Sequence, residues 1–408
     1  MEVMRAFLLA AGLGSGMGLN AQDAVIQEVI EAMHIDSMIR FVQEMSGEVA
    51  VDLGDGPVVI NSRHSDHAGN ALAQLYFERK LASFGHVTET RSFNATGRNV
   101  LATKTGSVHP DEIVVLCAHY DAMPPGGLYD APAADDDGSG CAALLEAARV
   151  LRDIPFERTI IFALWDQEEQ GKIGSIHYAN GMAADDADIV AVVNMDAIAY
   201  DGNGDRKARV HARPVANSLA IADTVFAVLD RYAFDLDLML TNPGAVYSDH
   251  ASFWSAGYGA VLMIEEFNND GNPNYHTPND RVQYFDVPYY EQLAKLSVAS
   301  MATLAVPFDP TTSAHGRLGA ALVNNLLVYP NPTAGRSRFR LHVDQPAHYR
   351  SALLNALGQE VDVLLDAELP SGDQLIEMDL TRMAAGAYTV QVIGPDGDLR
   401  AIRVLRIP

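Results

Sequence analysis

In the stretch IIFALWDQEEQGKIGS, residues 160–175, an apolar run ends in Asp166, Glu168 and Glu169. Other apolar runs end the same way. His119 and Asp121 follow IVVLCA, and Asp196 follows IVAVVNM. ADDDGSG sets Asp135, Asp136 and Asp137 just before an apolar helix expected from about Ser139, and NPNYHTPND carries His276 in a Pro/Asn-rich loop. Carboxylates crowded at a half-buried site repel one another, and burial without partners raises the cost. A divalent cation removes that repulsion, and two remove it better. Two histidines with several carboxylates and no usable cysteine pair suit zinc, with other divalent first-row ions as the alternative. One zinc takes about three protein ligands. At least five candidates converge here, which favours two ions roughly 3.5–4 Å apart, bridged by a carboxylate.

Each feature alone has a plainer reading. A single histidine is usually ordinary, and an acidic run is usually a solvated turn or a helix N-cap. What favours a metal site is where the clusters fall relative to the elements that must carry them. RNVLATKTG, EIVVLCAHYD, RTIIFALWD, DIVAVVNMDAIAY and GAVLMIEEF read as strands. NALAQLYFERKLASFG (Leu72, Leu75 and Tyr76 on one face, Gly85 at the C-terminal end), SGCAALLEAARVLRDI, SLAIADTVFAVLDRY and 285–305 read as helices. AVIQEVIEAMHIDSMIRFVQEM has helical spacing throughout. Near-continuous apolar strands alternating with amphipathic helices predict a mixed, mostly parallel α/β sheet covered by helices on both faces. In such sheets ligands sit outside the carboxyl ends of the strands, where the acidic and histidine clusters fall.

The 408 residues are enough for two or three domains, and 48% hydrophobic with 20% charged residues is ordinary for a globular chain. A net charge of −25 excludes nucleic acid and anionic membrane surfaces as partners. Residues 1–21 read as a secretory signal: Arg5, an apolar Ala6–Met17 stretch, then Leu19 and Ala21 at cleavage-site positions. It is too short to span a bilayer, and no later segment is long enough. Cys117 and Cys141 make no disulfide framework and read as buried thiols, with a single bridge as the alternative. The globular α/β domain is expected over 22–306. A Pro/Thr/Gly-containing linker follows over 307–325, then an all-β sandwich over 326–408 with short alternating strands.

The segments AHYD, ADDDGSG, DQEEQGKIGS, NMDAIAY, SDHASFWSAGYGAVLMIEE and YHTPND resemble, in order and spacing, the secreted di-zinc aminopeptidases, the bacterial leucyl aminopeptidases and aminopeptidase Y. The wider family includes glutamate carboxypeptidase II and glutaminyl cyclase. The resemblance covers about residues 60–305 and implies the zinc-peptidase (phosphorylase/hydrolase-like) fold, with two zinc ions per chain. It makes Asp136 the bridging ligand. Glu169 and His276 complete one zinc, His119 and Asp196 the other. Glu168 becomes the general base and acid for a two-metal-activated water, and Asp121 orients His119. Ser248 and Asp249 support the site from behind. Tyr275 is a candidate partner for the oxyanion or a packing residue. Asp166 is structural, and Gln167 stands where the family has a small residue. His64, His67 and His250 receive no role. The activity implied is an exported aminopeptidase acting on peptides with a free N-terminus. The alternatives within the fold are a one-zinc glutaminyl cyclase-like acyltransferase and a carboxypeptidase.

VYPNPTAG opening the final segment, and GAYTVQV with IRVLRI closing it, resemble a type IX secretion C-terminal sorting domain. That implies recognition by the type IX machinery and a secreted or cell-surface location, reached through the periplasm and outer membrane.

Overall fold

The computed structural model describes residues 21–123, 129–308, 326–329, 333–343, 345–355, 359–395 and 399–407. Most of the signal stretch and most of the linker lie outside these residues. The chain divides into two units, Met1–Phe308 and Asp309–Pro408.

The first unit opens with α1 (Ala21–Ala32) and α2 (Ile35–Met45), then a small hairpin of β1 (Val51–Asp52) and β2 (Pro57–Val58). The sequence predicts one helical run where the structure has two. The run breaks at His34, which takes an extended conformation while its N–H donates to Glu146 Oε1 at 2.7 Å. Next come α3 (Ala68–Ser83), β3 (Thr88–Ser92), β4 (Arg98–Lys104), β5 (His109–His119), α4 (Gly138–Leu151), β6 (Arg158–Trp165) and α5 (Ile173–Ala184). The unit continues through β7 (Asp188–Met195), β8 (Lys207–His211), α6 (Ser218–Arg231), β9 (Asp237–Thr241), α7 (His250–Ser255), β10 (Ala260–Glu265), α8 (Phe267–Asp270) and α9 (Val287–Ala305). Strands β3, β8 and β9 carry no continuous apolar run, so the pattern does not announce them.

The strands form one sheet in the order β3-β4-β6-β5-β7-β10-β8-β9. The central neighbours β6, β5, β7 and β10 run parallel, and the antiparallel pairings lie outside them. Alternate residues of β5 point to opposite faces. Val114, Leu116 and Ala118 join the core under α4 and α9, while Val115 and Cys117 join a second core with Trp165, Tyr178 and Phe253. Period-two burial on both faces is why these strands read as unbroken apolar runs. The sheet also separates the two sulfurs: Cys117 lies in one core and Cys141 in the other, both free. From β5 the chain crosses to β6 on one side, while β7 lies on the other. The carboxyl ends of all three share one rim, as a switch point requires.

The second unit holds β11 (Leu326–Tyr329), β12 (Arg336–Val343), β13 (Ala347–Leu354), β14 (Glu360–Leu369), β15 (Gly372–Asp379), β16 (Gly386–Ile393) and β17 (Leu399–Arg406). They form two antiparallel sheets, β11-β12-β15 and β14-β13-β16-β17. Phe339, Leu341, Tyr349, Leu353, Met378, Val390 and Val404 make a core shared by both. No helix among the described residues is long and apolar enough to cross a membrane.

Candidate metal centre

Four of the five candidate ligands lie next to the end of an element, and His276 lies in the loop between α8 and α9. His119 is the last residue of β5, and Asp196 follows β7 directly. Asp136 precedes α4, whose N-cap is Asp137, accepting from Gly140 N at 3.0 Å. Glu168 and Glu169 lie in the turn after β6, where Gln167 adopts φ 60°, a conformation that costs a non-glycine residue energy. Asn94 Nδ2 donates to Gln167 Oε1 at 2.7 Å, and Gln167 Nε2 donates to Thr96 Oγ1. This long side chain is anchored in the neighbouring loop.

The structure brings the five candidate ligands together. His119 Nε2 lies 3.1 Å from Asp136 Oδ1 and 3.7 Å from Asp196 Oδ1. His276 Nε2 lies 2.9 Å from Asp136 Oδ2 and 3.0 Å from Glu169 Oε1. One donor atom each from His119, Asp136 and Glu169 falls within 4.8 Å of the others. Asp136 stands between the two histidines, with one oxygen toward each.

Close as they are, Asp136 Oδ2, Glu169 Oε1 and His276 Nε2 form no well-aligned hydrogen bond with any group. Their lone pairs converge on shared space rather than on each other. Electrostatics makes the same demand. Burial opposes a charged His119 ring, yet Asp121, Asp136 and Asp196 outweigh it and push the imidazole well up. Burial likewise opposes charge on His276, but Asp136 and Glu169 raise it to about 10. Burial, with Asp136 beside it, lifts Glu169 to about 7. Burial lifts Glu168 well above the carboxylate range, with Asp249 and Asp196 adding to it against His119. These groups gather protons to balance crowded negative charge, a balance a divalent cation supplies directly. The donor set, two imidazoles and three carboxylates, fits zinc.

Behind the ligands, carboxylates of one loop hold the backbone of the next. Asp121 accepts Glu168 N at 2.9 Å and Glu169 N at 3.2 Å, and its Oδ1 lies 3.6 Å from His119 Nδ1. Asp137 accepts His119 N at 3.1 Å and Ala197 N at 3.3 Å. Asp135 accepts Ala199 N at 3.0 Å and Asn272 Nδ2 at 2.9 Å. Asp280 accepts Asp135 N at 2.9 Å and Asp136 N at 3.1 Å. Arg63 is fully buried, and its guanidinium donates to the carbonyls of Met45, Tyr120, Pro132 and Ala133. Sequence reasoning gave no role to Asp137, Asp280 or Arg63. The signal for Asp280 was present, an acid four residues after His276 in the same turn-rich loop. Arg63 gave none.

Of the other predicted residues, Ser248 accepts Asn194 Nδ2 at 2.8 Å, and Asp249 accepts the Ser175 hydroxyl. Burial raises Asp249 to about 7. Tyr275, 39% exposed, stacks on His276 with ring centroids 3.8 Å apart. Tyr247, on the rim, also feels the site: burial and Asp196 raise its phenol to about 12. Asp166 accepts from Asn70, Arg98 and Gln167, so its oxygens are spent on β4, α3 and its own turn. His64 and His67 accept local backbone N–H groups, and buried His250 sets Nε2 2.9 Å from the Ala245 carbonyl.

Residues 99–301, which span every one of these candidate ligands, match the model of peptidase family M28. This region is an M28 peptidase domain. Residues 327–399 match a secretion system C-terminal sorting domain, which marks the chain for the cell surface or the extracellular space. Aminopeptidase YwaD of Bacillus subtilis is 28% identical over 288 residues, covering 69% of this chain and 58% of its own length. The chain thus spans under two thirds of that relative. The M28 fold recurs in the LapA aminopeptidase of Legionella pneumophila, with TM-score 0.60 at 20% identity over 76% of this chain and 81% of that one. A zinc aminopeptidase from Bacillus subtilis gives TM-score 0.58 at 15% identity, over 67% of this chain and 96% of that one.

Proposed function

We propose that the chain is an exported zinc-dependent aminopeptidase that cleaves the peptide bond following a free N-terminal residue. The observation that carries this is the meeting of His119, Asp136, Glu169, Asp196 and His276, their donor atoms directed into one space at the switch point of the sheet. In this reading His119, Asp136 and Asp196 hold one ion. Asp136, Glu169 and His276 hold a second. When bound, two zinc ions supply Lewis acidity and lower the pKa of water.

The remaining steps belong to the protein. Glu168 lies beside its ligand neighbour Glu169, and burial has already raised its proton affinity. Its carboxylate takes a proton from the attacking water and returns it to the leaving nitrogen. Asp121 holds the N–H groups of both glutamates, so the base and the ligand stay in fixed relation. Tyr275, laid over the His276 ring, offers its hydroxyl to the negative charge that develops on the scissile carbonyl oxygen. The sorting domain delivers the chain to the type IX machinery.

The test is metal analysis joined to a substrate panel. Two zinc ions per chain, activity on aminoacyl-nitroanilides, loss with a chelator and no cleavage of N-blocked peptides are expected. One ion per chain with cyclisation of N-terminal glutamine would instead identify the acyltransferase of the same fold. Cleavage from the C-terminus would identify the carboxypeptidase.

A further inference from the structure

Asp280 lies four residues beyond His276 and is 2% exposed. Three successive N–H groups of the Asp136 turn end on it. Ala134 N donates to its carbonyl at 3.1 Å, Asp135 N to Oδ1 at 2.9 Å, and Asp136 N to Oδ2 at 3.1 Å. At the other end of the same loop, Asn272 Nδ2 donates to Asp135 Oδ2 at 2.9 Å. The loop carrying His276 and the turn carrying Asp136 are therefore stitched together on both sides of the imidazole. Between the stitches, His276 Nε2 lies 2.9 Å from Asp136 Oδ2.

We propose that Asp280 is a positioning residue that sets the gap between Asp136 and His276, and so fixes the affinity for the ion held by Asp136, Glu169 and His276. The inference rests on the metal-centre reading above. Ligands must meet an ion within a few tenths of an ångström. Two parallel bonds from one carboxylate stop the Asp136 backbone from rotating, where a single bond would leave a hinge. The ion held by His119 and Asp196 depends less on Asp280, because Asp137 fixes His119 N and Ala197 N independently.

The test is Asp280→Asn in the full chain. The amide keeps the shape but presents NH2 to one of two N–H donors, so one bond is lost. Zinc alone is titrated against a chelator, with Asp136→Ala and Glu169→Ala alongside. The expected result is the ion held with Glu169 and His276 weakened by about 10–100-fold, and the ion held with His119 and Asp196, which shares Asp136, weakened clearly less. kcat should fall more than KM and recover with added zinc, while the metal-free melting temperature stays near that of the metal-free parent. Parent affinity at both sites in Asp280→Asn, with Asp136→Ala losing metal, overturns the positioning role and leaves the metal centre standing. Full metal retention in Asp136→Ala would sink the metal reading itself. Should Asp280→Asn not fold, Asp280→Ser is read the same way. Failure of both to fold assigns Asp280 to folding and overturns the proposal.

Discussion

Asp121 Oδ1 lies 3.6 Å from His119 Nδ1, while Nε2 of the same ring faces Asp136 at 3.1 Å. The carboxylate also accepts the backbone N–H groups of Glu168 and Glu169. One side chain therefore connects a candidate ligand from β5 with the candidate base and candidate ligand in the turn after β6. Asp121→Asn should lower zinc affinity by roughly 10–100-fold and reduce kcat with it. Chelator competition beside steady-state kinetics measures both, and unchanged affinity would remove Asp121 from this role.

Asp136 offers one oxygen to each histidine, whereas Glu169 sets its oxygen 3.0 Å from His276 and farther from His119. The two should therefore fail differently. Asp136→Ala is expected to release both ions and Glu169→Ala only one, with turnover lost in each. Zinc counted per chain after dialysis decides. Glu168→Gln should keep both ions and lose about 10²–10⁴-fold in kcat.

His250 is buried, and that burial lowers its imidazole to about 3. The unfolded chain takes up this proton below about 6.5, the folded chain only near 3. Stability contributed by neutral His250 is thus present above the unfolded value and lost as pH falls from about 6.5 toward 3, on the order of 5 kcal/mol at the acid end. His250→Asn should flatten the fall of melting temperature with acid. Parallel curves for parent and variant would exclude the effect.

Arg63 donates to four buried carbonyls around the site, those of Met45, Tyr120, Pro132 and Ala133. Arg63→Met fills similar volume but leaves those acceptors unpaired. A cost of roughly 3–5 kcal/mol is expected by chemical denaturation. Because Tyr120 follows His119 directly, zinc affinity should fall too.

The acidity is concentrated in the first unit. Up to Phe308 there are 42 Asp and Glu against 19 Lys and Arg, and beyond it 11 against 9. Self-repulsion of this size destabilises a compact state, and salt screens it. The melting temperature of the M28 domain should rise by about 5 °C between about 0.01 and about 0.5 M NaCl. A flat response would show that the charges are already compensated locally.

The central strands, and the candidate ligands that stand at their ends, were legible for one physical reason. Strands buried on both faces must be apolar throughout, so the polar residue that ends each of them stands out, as His119, Glu168 and Asp196 do. The edge strands β3, β8 and β9 were not legible, because half-exposed pairing needs no apolar run. In the second unit β14 shows no such run for a similar reason: Glu360–Leu369 is exposed or half-buried throughout. The ligand supports were harder still. Asp137 and Asp280 act through backbone N–H groups distant in sequence, so the place of Asp280 near His276 marks it for attention without recording those partners. Asp137 reads locally as an N-cap, which it also is.

The two thiols bear on export. Cys117 Sγ donates to Asn194 Oδ1 at 3.2 Å and Cys141 Sγ to the His119 carbonyl at 3.1 Å, on opposite faces of the sheet. Neither can reach the other in the native state, nor meet an oxidant from solvent. The described fold therefore closes no disulfide, and reducing agents should leave its stability unchanged.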